Sequence, residues 1–242
     1  MRILIISDIH ANLTALEAVL ADAPQVDAVW CLGDLVGYGP DPNECVTRVR
    51  QLPNLVCLFG NHDAAVSGMI DISSFNNEAR MAVLWTQSVI GQANLEYLRS
   101  LSPQTVIDSV HIAHGSPRQP IWEYLLDTRT ASENFDYFET PYCFVGHSHL
   151  PVVFQKEDGQ DKTDLSIPKA NTSLEMVPRS IYNPGSVGQP RDRDPRSAYA
   201  VFDSDRQVWN LRRVPYDIYK VQERMRAARL PQRHIQRLSA GW

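Results

Sequence analysis

The chain has 242 residues, enough for one large domain or two small ones, and its 43% hydrophobic and 21% charged content is that of a soluble globular protein. A net charge of −5 argues against a generic nucleic-acid binder, which carries a basic footprint. No apolar run reaches the roughly 20 residues of a membrane span. Met1-Arg2 leads directly into an apolar strand that Asp8 interrupts, so no signal peptide is read and a cytoplasmic location is expected. The charge is uneven. From Arg206 onward nine Lys or Arg stand against Asp217 and Glu223, whereas the preceding chain holds 14 basic and 26 acidic residues. Cys31, Cys45, Cys57 and Cys143 have no paired spacing, which excludes a disulfide framework or a thiolate zinc site and makes them small buried hydrophobes.

In chain order, Ile3-Leu4-Ile5-Ile6 reads as a buried strand, followed by a helix carrying Leu13, Leu16 and Leu20 that Pro24 closes. A second strand ends at Leu32, before the Gly-rich segment Gly33-Asp34-Leu35-Val36-Gly37-Tyr38-Gly39-Pro40. Asp41-Pro42-Asn43-Glu44 starts a helix running to about Leu52, and a third strand ends at Phe59. This strand–helix alternation predicts a parallel sheet with right-handed crossovers. Asn77 to Leu101 predicts two helices, the first with Met81, Leu84, Trp85 and Val89 as its apolar face. Short strands then fill Gln104–Ala113 and Tyr142–Phe154, with a helix between Thr130 and Glu139. Gln155 to Lys169 is polar and reads as a hairpin extension turning at Asp158-Gly159. Ala198–Phe202 and Gln207–Leu211 predict a further hairpin. Ile218, Val221, Met225 and Ala228 mark a last amphipathic helix before Pro231, and the basic tail reads as a solvated helix face. The expectation is a single α/β domain over 1–242, two mixed β-sheets packed face to face with flanking helices.

The polar residues that follow the apolar runs carry the functional signal. They are Asp8 and His10, Asp34, Asn61-His62-Asp63, His114, and His147 and His149. The carboxyl ends of strands in a layered α/β protein share one edge, where ligands bind. Each motif alone has an ordinary reading as a turn, and His147 and His149 would face opposite ways in a strand. They converge only if the backbone has left the strand, which Gly146 permits. Five motifs, each behind an apolar run, predict a two-metal site of carboxylate and imidazole donors, suited to manganese, iron or zinc. Two ions roughly 3.5–4 Å apart need a shared ligand. Asp34 and Asp8 are the carboxylates able to bridge, with Asp34 favoured because it opens the loop where Gly33 and Gly37 let the backbone turn close to the ions.

The ordered motifs Asp8-x-His10, Gly33-Asp34, Gly60-Asn61-His62-Asp63, His114-Gly115 and Gly146-His147-x-His149 resemble those of the calcineurin-like metallophosphoesterases over roughly residues 1–190. Asn183-Pro184-Gly185-Ser186 resembles the segment that follows in small bacterial and archaeal members. The resemblance implies a four-layer α-β-β-α sandwich and two divalent ions, with manganese favoured for activity. It implies a first metal held by Asp8, His10, Asp34 and His149, and a second by Asp34, Asn61, His114 and His147. It also implies that His62 contacts the phosphoryl group and assists the leaving oxygen. Asp63 is expected to fix the His62 tautomer and support its protonated form.

The expected reaction is hydrolysis of a phosphoester by a water that two cations have acidified to a bridging hydroxide. Serine catalysis by Ser7 or Ser148 is set aside because no base is committed to either. A phosphomonoesterase, a protein phosphatase or a non-catalytic scaffold of the same fold are the alternatives, and the intact donor set favours an enzyme. Small phosphodiesters or nucleotide polyphosphates are the expected substrates. Tyr38, Arg118 and Arg191 are candidate substrate contacts, as is Arg193, although Arg191-Asp192-Arg193-Asp194 also reads as a self-paired loop. The loops at Gly37-Tyr38-Gly39 and Asn183–Ser186 are expected to wall the pocket. His111 is expected to pack on its strand, and His234 to be incidental. No stable nucleic-acid complex and no membrane association are expected, and a homo-oligomer is left open.

Overall fold

The computed structural model describes residues 1–156 and 162–242. Its opening is β1 (Arg2–Ile6), α1 (Leu13–Asp22), β2 (Ala28–Cys31), α2 (Pro42–Val49) and β3 (Leu55–Cys57), with β1, β2 and β3 parallel. Next come α3 (Asn61–Val66), α4 (Asn77–Val89), α5 (Gln92–Ser100), β4 (Gln104–Ile107), β5 (Val110–Ala113), α6 (Thr128–Asn134), β6 (Tyr142–Val145), β7 (Pro151–Lys156) and β8 (Thr163–Ser166). The chain ends with β9 (Thr172–Glu175), β10 (Ser180–Pro184), β11 (Ser197–Asp203), β12 (Val208–Val214), α7 (Ile218–Ala227) and α8 (Gln232–Ala240). The Asp158-Gly159 turn lies outside the described residues; β7 and β8 on either side of it pair antiparallel, as a hairpin requires.

The strands form two mixed six-stranded sheets, ordered β3-β2-β1-β11-β12-β9 and β4-β5-β6-β10-β7-β8. Strand periodicity explains the layering. Ile3 and Ile5 of β1 face the other sheet, where they join Trp30, Ile112, Phe144, Tyr182, Phe202 and Trp209. Leu4 and Ile6 face outward, under α1 with Leu16 and Val19, α2 with Val46 and Val49, and α7 with Val221 and Met225. The outer face of the second sheet is covered by α6 and its neighbours through Ala131, Phe135 and Phe138. Four layers result, as the element order predicts.

Two expectations are corrected. The buried face of α4 is Ala79, Ala82, Val83 and Thr86, while Met81 and Leu84 are 56% and 51% exposed. Small side chains let α4 lie close on α3, so packing chose the small face over the bulky one. The tail, for its part, does not end with one solvated helix. Beyond Pro231 a further helix, α8, buries His234, Ile235 and Leu238 and closes with Gly241 in the left-handed conformation at φ 67°. Its arginines and those of α7 and β12 reach the acidic body: Arg224 pairs with Asp41, Arg212 with Asp22, and Arg233 with Glu78. The chain's uneven charge is thereby paired within itself. Among the described residues, no helix is long and apolar enough to cross a membrane.

Phe144 is fully buried with its ring 4.9 Å from Trp209 and 5.3 Å from Phe202. Phe144→Ala is expected to cost about 3–5 kcal/mol in urea unfolding, and Met81→Ala less than about 0.5 kcal/mol. Equal costs for the two variants would contradict the packing described.

Candidate metal centre

The carboxyl ends of β1, β2, β3, β5 and β6 meet at one edge, and backbone hydrogen bonds lock their loops together. The Asp8 amide donates to Gly33 O (3.0 Å), the His10 amide to Asp34 O (2.9 Å), and the Gly146 amide to His114 O (2.8 Å). Asp8, His10, Asp34, His147 and His149 all have positive φ, between 47° and 63°. Single residues in this left-handed region reverse the chain at a strand end and aim the side chain across the edge. That is how His147 and His149 converge. Gly146 contributes differently from expectation: its φ is not left-handed, but a Cβ there would collide with the Ser7 hydroxyl. Gly60 is similarly constrained, because a Cβ would strike the Asp34 carboxylate.

Four histidines each donate one ring nitrogen to a backbone carbonyl: His10 Nδ1 to Val36 (3.2 Å), His114 Nδ1 to Leu32 (2.8 Å), His147 Nε2 to Trp122 (3.3 Å) and His149 Nδ1 to Gln189 (2.6 Å). The other nitrogen of each then holds a lone pair, and these point at one another. His10 Nε2 is 3.1 Å from His149 Nε2, and His114 Nε2 is 3.2 Å from His147 Nδ1. Lone pairs that close repel unless a cation sits among them, and a carbonyl behind each ring is the support that metal-binding histidines receive. Carboxylates and an amide oxygen complete both clusters. Asp8 Oδ1 is 3.3 Å from His149 Nε2, and Asn61 Oδ1 is 3.4 Å from His114 Nε2. Asp34 Oδ2 stands between the clusters, 3.6 Å from His10 Nε2 and 3.5 Å from His114 Nε2. The donor set fits divalent cations.

The chain resembles known proteins over most of its length. Residues 1–207 match the calcineurin-like phosphoesterase superfamily domain. The chain belongs to that superfamily. Metal-dependent hydrolysis of phosphoesters is therefore its chemistry. It is 47% identical to a metallophosphoesterase from Sphaerobacter thermophilus of known structure, with a TM-score of 0.92 over 100% of this chain and 99% of that one. An uncharacterized protein of Methanocaldococcus jannaschii is 40% identical over 99% of this chain and 98% of its own length. A symmetrical bis(5'-nucleosyl)-tetraphosphatase of Pectobacterium carotovorum is 39% identical, but only over 67 residues, 24% of its length.

Electrostatics in this phosphoesterase follow from burial. Desolvation raises the Asp8 carboxyl to about 7 and Asp34 well above its ordinary range, and it holds His10, His62, His147 and His149 neutral, well below the usual imidazole value. Neutral imidazoles are the form that ligates.

Asp63 does not do what the sequence predicts. Its carboxylate accepts from the amides of Leu35 (3.1 Å), Val36 (3.0 Å) and Gly60 (2.9 Å), so it braces the Asp34 loop, while His62 Nδ1 has no hydrogen-bond partner. Asn183–Ser186 also braces instead of walling the pocket: Asn183 Nδ2 donates to Gly146 O (2.7 Å) and Ser186 Oγ to Asp8 O (2.8 Å). Arg118 lies apart, engaged with Glu123 and Glu133. Arg191 turns in toward the centre, its guanidinium 5.9 Å from the Tyr38 ring centroid, while Arg193 stays exposed. Asp192 pairs with Arg213 and Asp194 with Arg196, so the loop is not self-paired in the way its alternating signs suggest. Tyr38 packs at a tilt among His10 (4.6 Å), His62 (4.2 Å) and His234 (4.4 Å). His111 stays on its strand, its Nε2 3.1 Å from Gln104 Oε1.

Sequence reasoning missed three aromatics and one histidine. Tyr124 stacks on His147 at 3.8 Å, Phe75 meets His62 edge-on at 5.0 Å, and Trp122 meets Phe75 at 5.2 Å. They lie on irregular segments with no periodicity to mark them. His234 is only 1% exposed, and burial pushes its imidazole down from 6.5 to about 4. The unfolded chain therefore binds a proton below about 6.5 that the folded chain refuses until about 4, so this residue's contribution to stability is lost as pH falls between those values. The loss is at most about 3 kcal/mol. Replacing it in His234→Gln is expected to flatten the fall: the stability difference between wild type and variant shrinks from pH 7 to pH 4.5 in urea titrations. A constant difference would refute the neutral, buried assignment.

Proposed function

We propose that this chain is a binuclear phosphoesterase acting on small phosphodiesters or nucleotide polyphosphates. Asp8, His10, Asp34 and His149 would hold one cation, and Asp34, Asn61, His114 and His147 the other. The observation that carries this reading is the position of Asp34, one carboxylate oxygen nearly equidistant from a histidine of each cluster. Asn61 supplies a neutral oxygen, which limits the negative charge around the second ion. When bound, the cations supply an acidified water nucleophile and neutralise the phosphoryl oxygens; manganese is the favoured ion.

The chain's own residues do the rest. The His62 amide donates to Asp34 Oδ1 (2.9 Å), which ties the helix bearing His62 to the bridging carboxylate and fixes the ring beside the reacting phosphorus. Burial, then Arg191 and His234, disfavour the charged imidazole, so His62 enters as a neutral hydrogen-bond donor. An arriving phosphoryl anion raises its proton affinity, and it then assists the leaving oxygen. Arg191 is positioned to neutralise charge on the equatorial oxygens. The exposed faces of Trp122 and Tyr124 offer a planar surface at the mouth that suits a nucleobase or aryl group. The likeness to the tetraphosphatase over 67 residues points the same way.

Asp34→Ala is expected to abolish hydrolysis of bis(4-nitrophenyl) phosphate and to lower bound manganese toward one ion or none per chain by mass spectrometry. Retention of two ions at normal activity would remove the bridging role. His62→Ala should keep its metals and lose roughly 10²- to 10⁴-fold in turnover. The deficit should shrink for nitrophenolate leaving groups, which need no proton; equal deficits for good and poor leaving groups would leave His62 a positioning role alone.

A further inference from the structure

The helix α8 lies beyond the residues that the family profile matches, yet it reaches the centre. We infer that Arg237 of α8 and Arg191, with His234 beside them, form a subsite for a second phosphoryl group, so that the preferred substrate carries a polyphosphate chain and not an isolated diester. This rests on the phosphoester reading above and deepens it.

Two features carry the inference. The first is placement. His234 and Arg191 flank the Tyr38 ring at 4.4 Å and 5.9 Å, and that ring stands 4.2 Å from His62. Arg237 stands three residues beyond His234 on α8, on the same side of the helix, and so beside the same group. The second is missing partners. The other buried or half-buried arginines of the C-terminal segment are paired with acids: Arg212 with Asp22, Arg213 with Asp192 and Arg224 with Asp41. Arg191 and Arg237 form no ion pair among the described residues. Arg191 meets only neutral groups, Gln189 Oε1 at 3.1 Å and the Tyr124 hydroxyl, and Arg237 lies 5.9 Å from the Trp242 ring. The buried Nε of each arginine has no hydrogen-bond partner. A native fold rarely leaves two buried guanidinium N–H donors unsatisfied in one place, and an anion satisfies both.

One phosphoryl group does not need all of them. Its oxygens are already served by the two cations, His62 and one guanidinium. Arg237, one helical turn from His234, has capacity for a neighbouring phosphate of the same chain.

The test compares inorganic imidodiphosphate with orthophosphate, both titrated by calorimetry into the manganese-loaded protein. Wild type is expected to bind imidodiphosphate roughly 10- to 100-fold more tightly, the range for losing or gaining one or two charge-assisted contacts. Arg237→Gln is expected to abolish most of that ratio and to raise KM for a nucleotide polyphosphate more than it lowers kcat. Arg237→Lys, which keeps the charge and the packing stem, should recover part of it. Arg233→Gln, on the same helix but paired outward with Glu78, should leave the ratio unchanged. A wild-type ratio near one, or an equal ratio in wild type and Arg237→Gln, overturns the subsite. Manganese-dependent turnover by wild type separates the two readings, because its absence with both bis(4-nitrophenyl) phosphate and the nucleotide polyphosphate refutes the small-substrate reading while the binding ratio is still measured.

Discussion

Three carboxylates, Asp8, Asp34 and Asp63, share a region where none is more than 1% exposed, and their mutual repulsion is the constraint around which the rest is arranged. An uncompensated buried carboxylate costs several kcal/mol. Asp63 is settled by three backbone amides of neighbouring loops. Asp8 and Asp34 receive one loop amide each, from His147 and His62, and otherwise face lone pairs. That imbalance raises both carboxyls above their ordinary range and leaves their oxygens available when cations arrive, so fold stability and metal affinity are linked through the same groups.

The loops are built to hold this arrangement under strain. Five donor residues in the left-handed region each carry a cost of the order of 1–2 kcal/mol. Such conformations persist where the surroundings over-determine them, and here each loop is bonded to the next. Asp63 spans two loops, His114 reaches back to Leu32, and Ser186 and Asn183 grip the Asp8 and Gly146 carbonyls from behind. Both sheets contribute, because β1 to β3 belong to one and β5, β6 and β10 to the other. The aromatic core between the sheets, centred on Phe144 and Trp209, therefore sets the distance between the two halves of the centre.

Much of this was legible because Asp, Asn and His at the ends of apolar runs mark strand ends that converge on one edge, and five such ends in one chain leave little room for coincidence. The element order and the two-sheet architecture follow from the same runs. What the sequence concealed has physical reasons. Helix α4 buries alanines and leaves Met81 and Leu84 outside, so hydrophobicity alone named the wrong face. Helix α8 hides Ile235 and Leu238 among Gln and Arg, a pattern too short and too basic to stand out from a solvated tail. Asp63 sits next to His62 in the chain, which suggested a pair, but consecutive residues on a helix point in different directions, and the carboxylate turned to the amides instead. Arg118 behind His114-Gly115 and Arg191 in its alternating-sign run are both candidate substrate contacts by sequence. Only the positions of Glu123 and Glu133 separated the paired one from the one facing the centre.

The C-terminal segment packs against the centre from outside the stretch that the family shares. Strand β11 is inserted beside β1 and β12 lies on its far side, so the chain re-enters the first sheet next to the strand that leads into Asp8 and His10. Helices α7 and α8 then cross the outer face to the Gly-rich loop, where Val221, Met225 and Leu238 close over Tyr38 and Gly39. Donors that must hold ions are fixed by loops of the two sheets, and their geometry leaves little freedom for change. In the reading proposed above, the groups that would meet the remainder of a substrate come from the late helix and from the segment bearing Trp122 and Tyr124, which hold no position in either sheet. Residues there can vary without disturbing the strained loops, which places discrimination among phosphoesters at the rim and leaves bond cleavage to the buried centre.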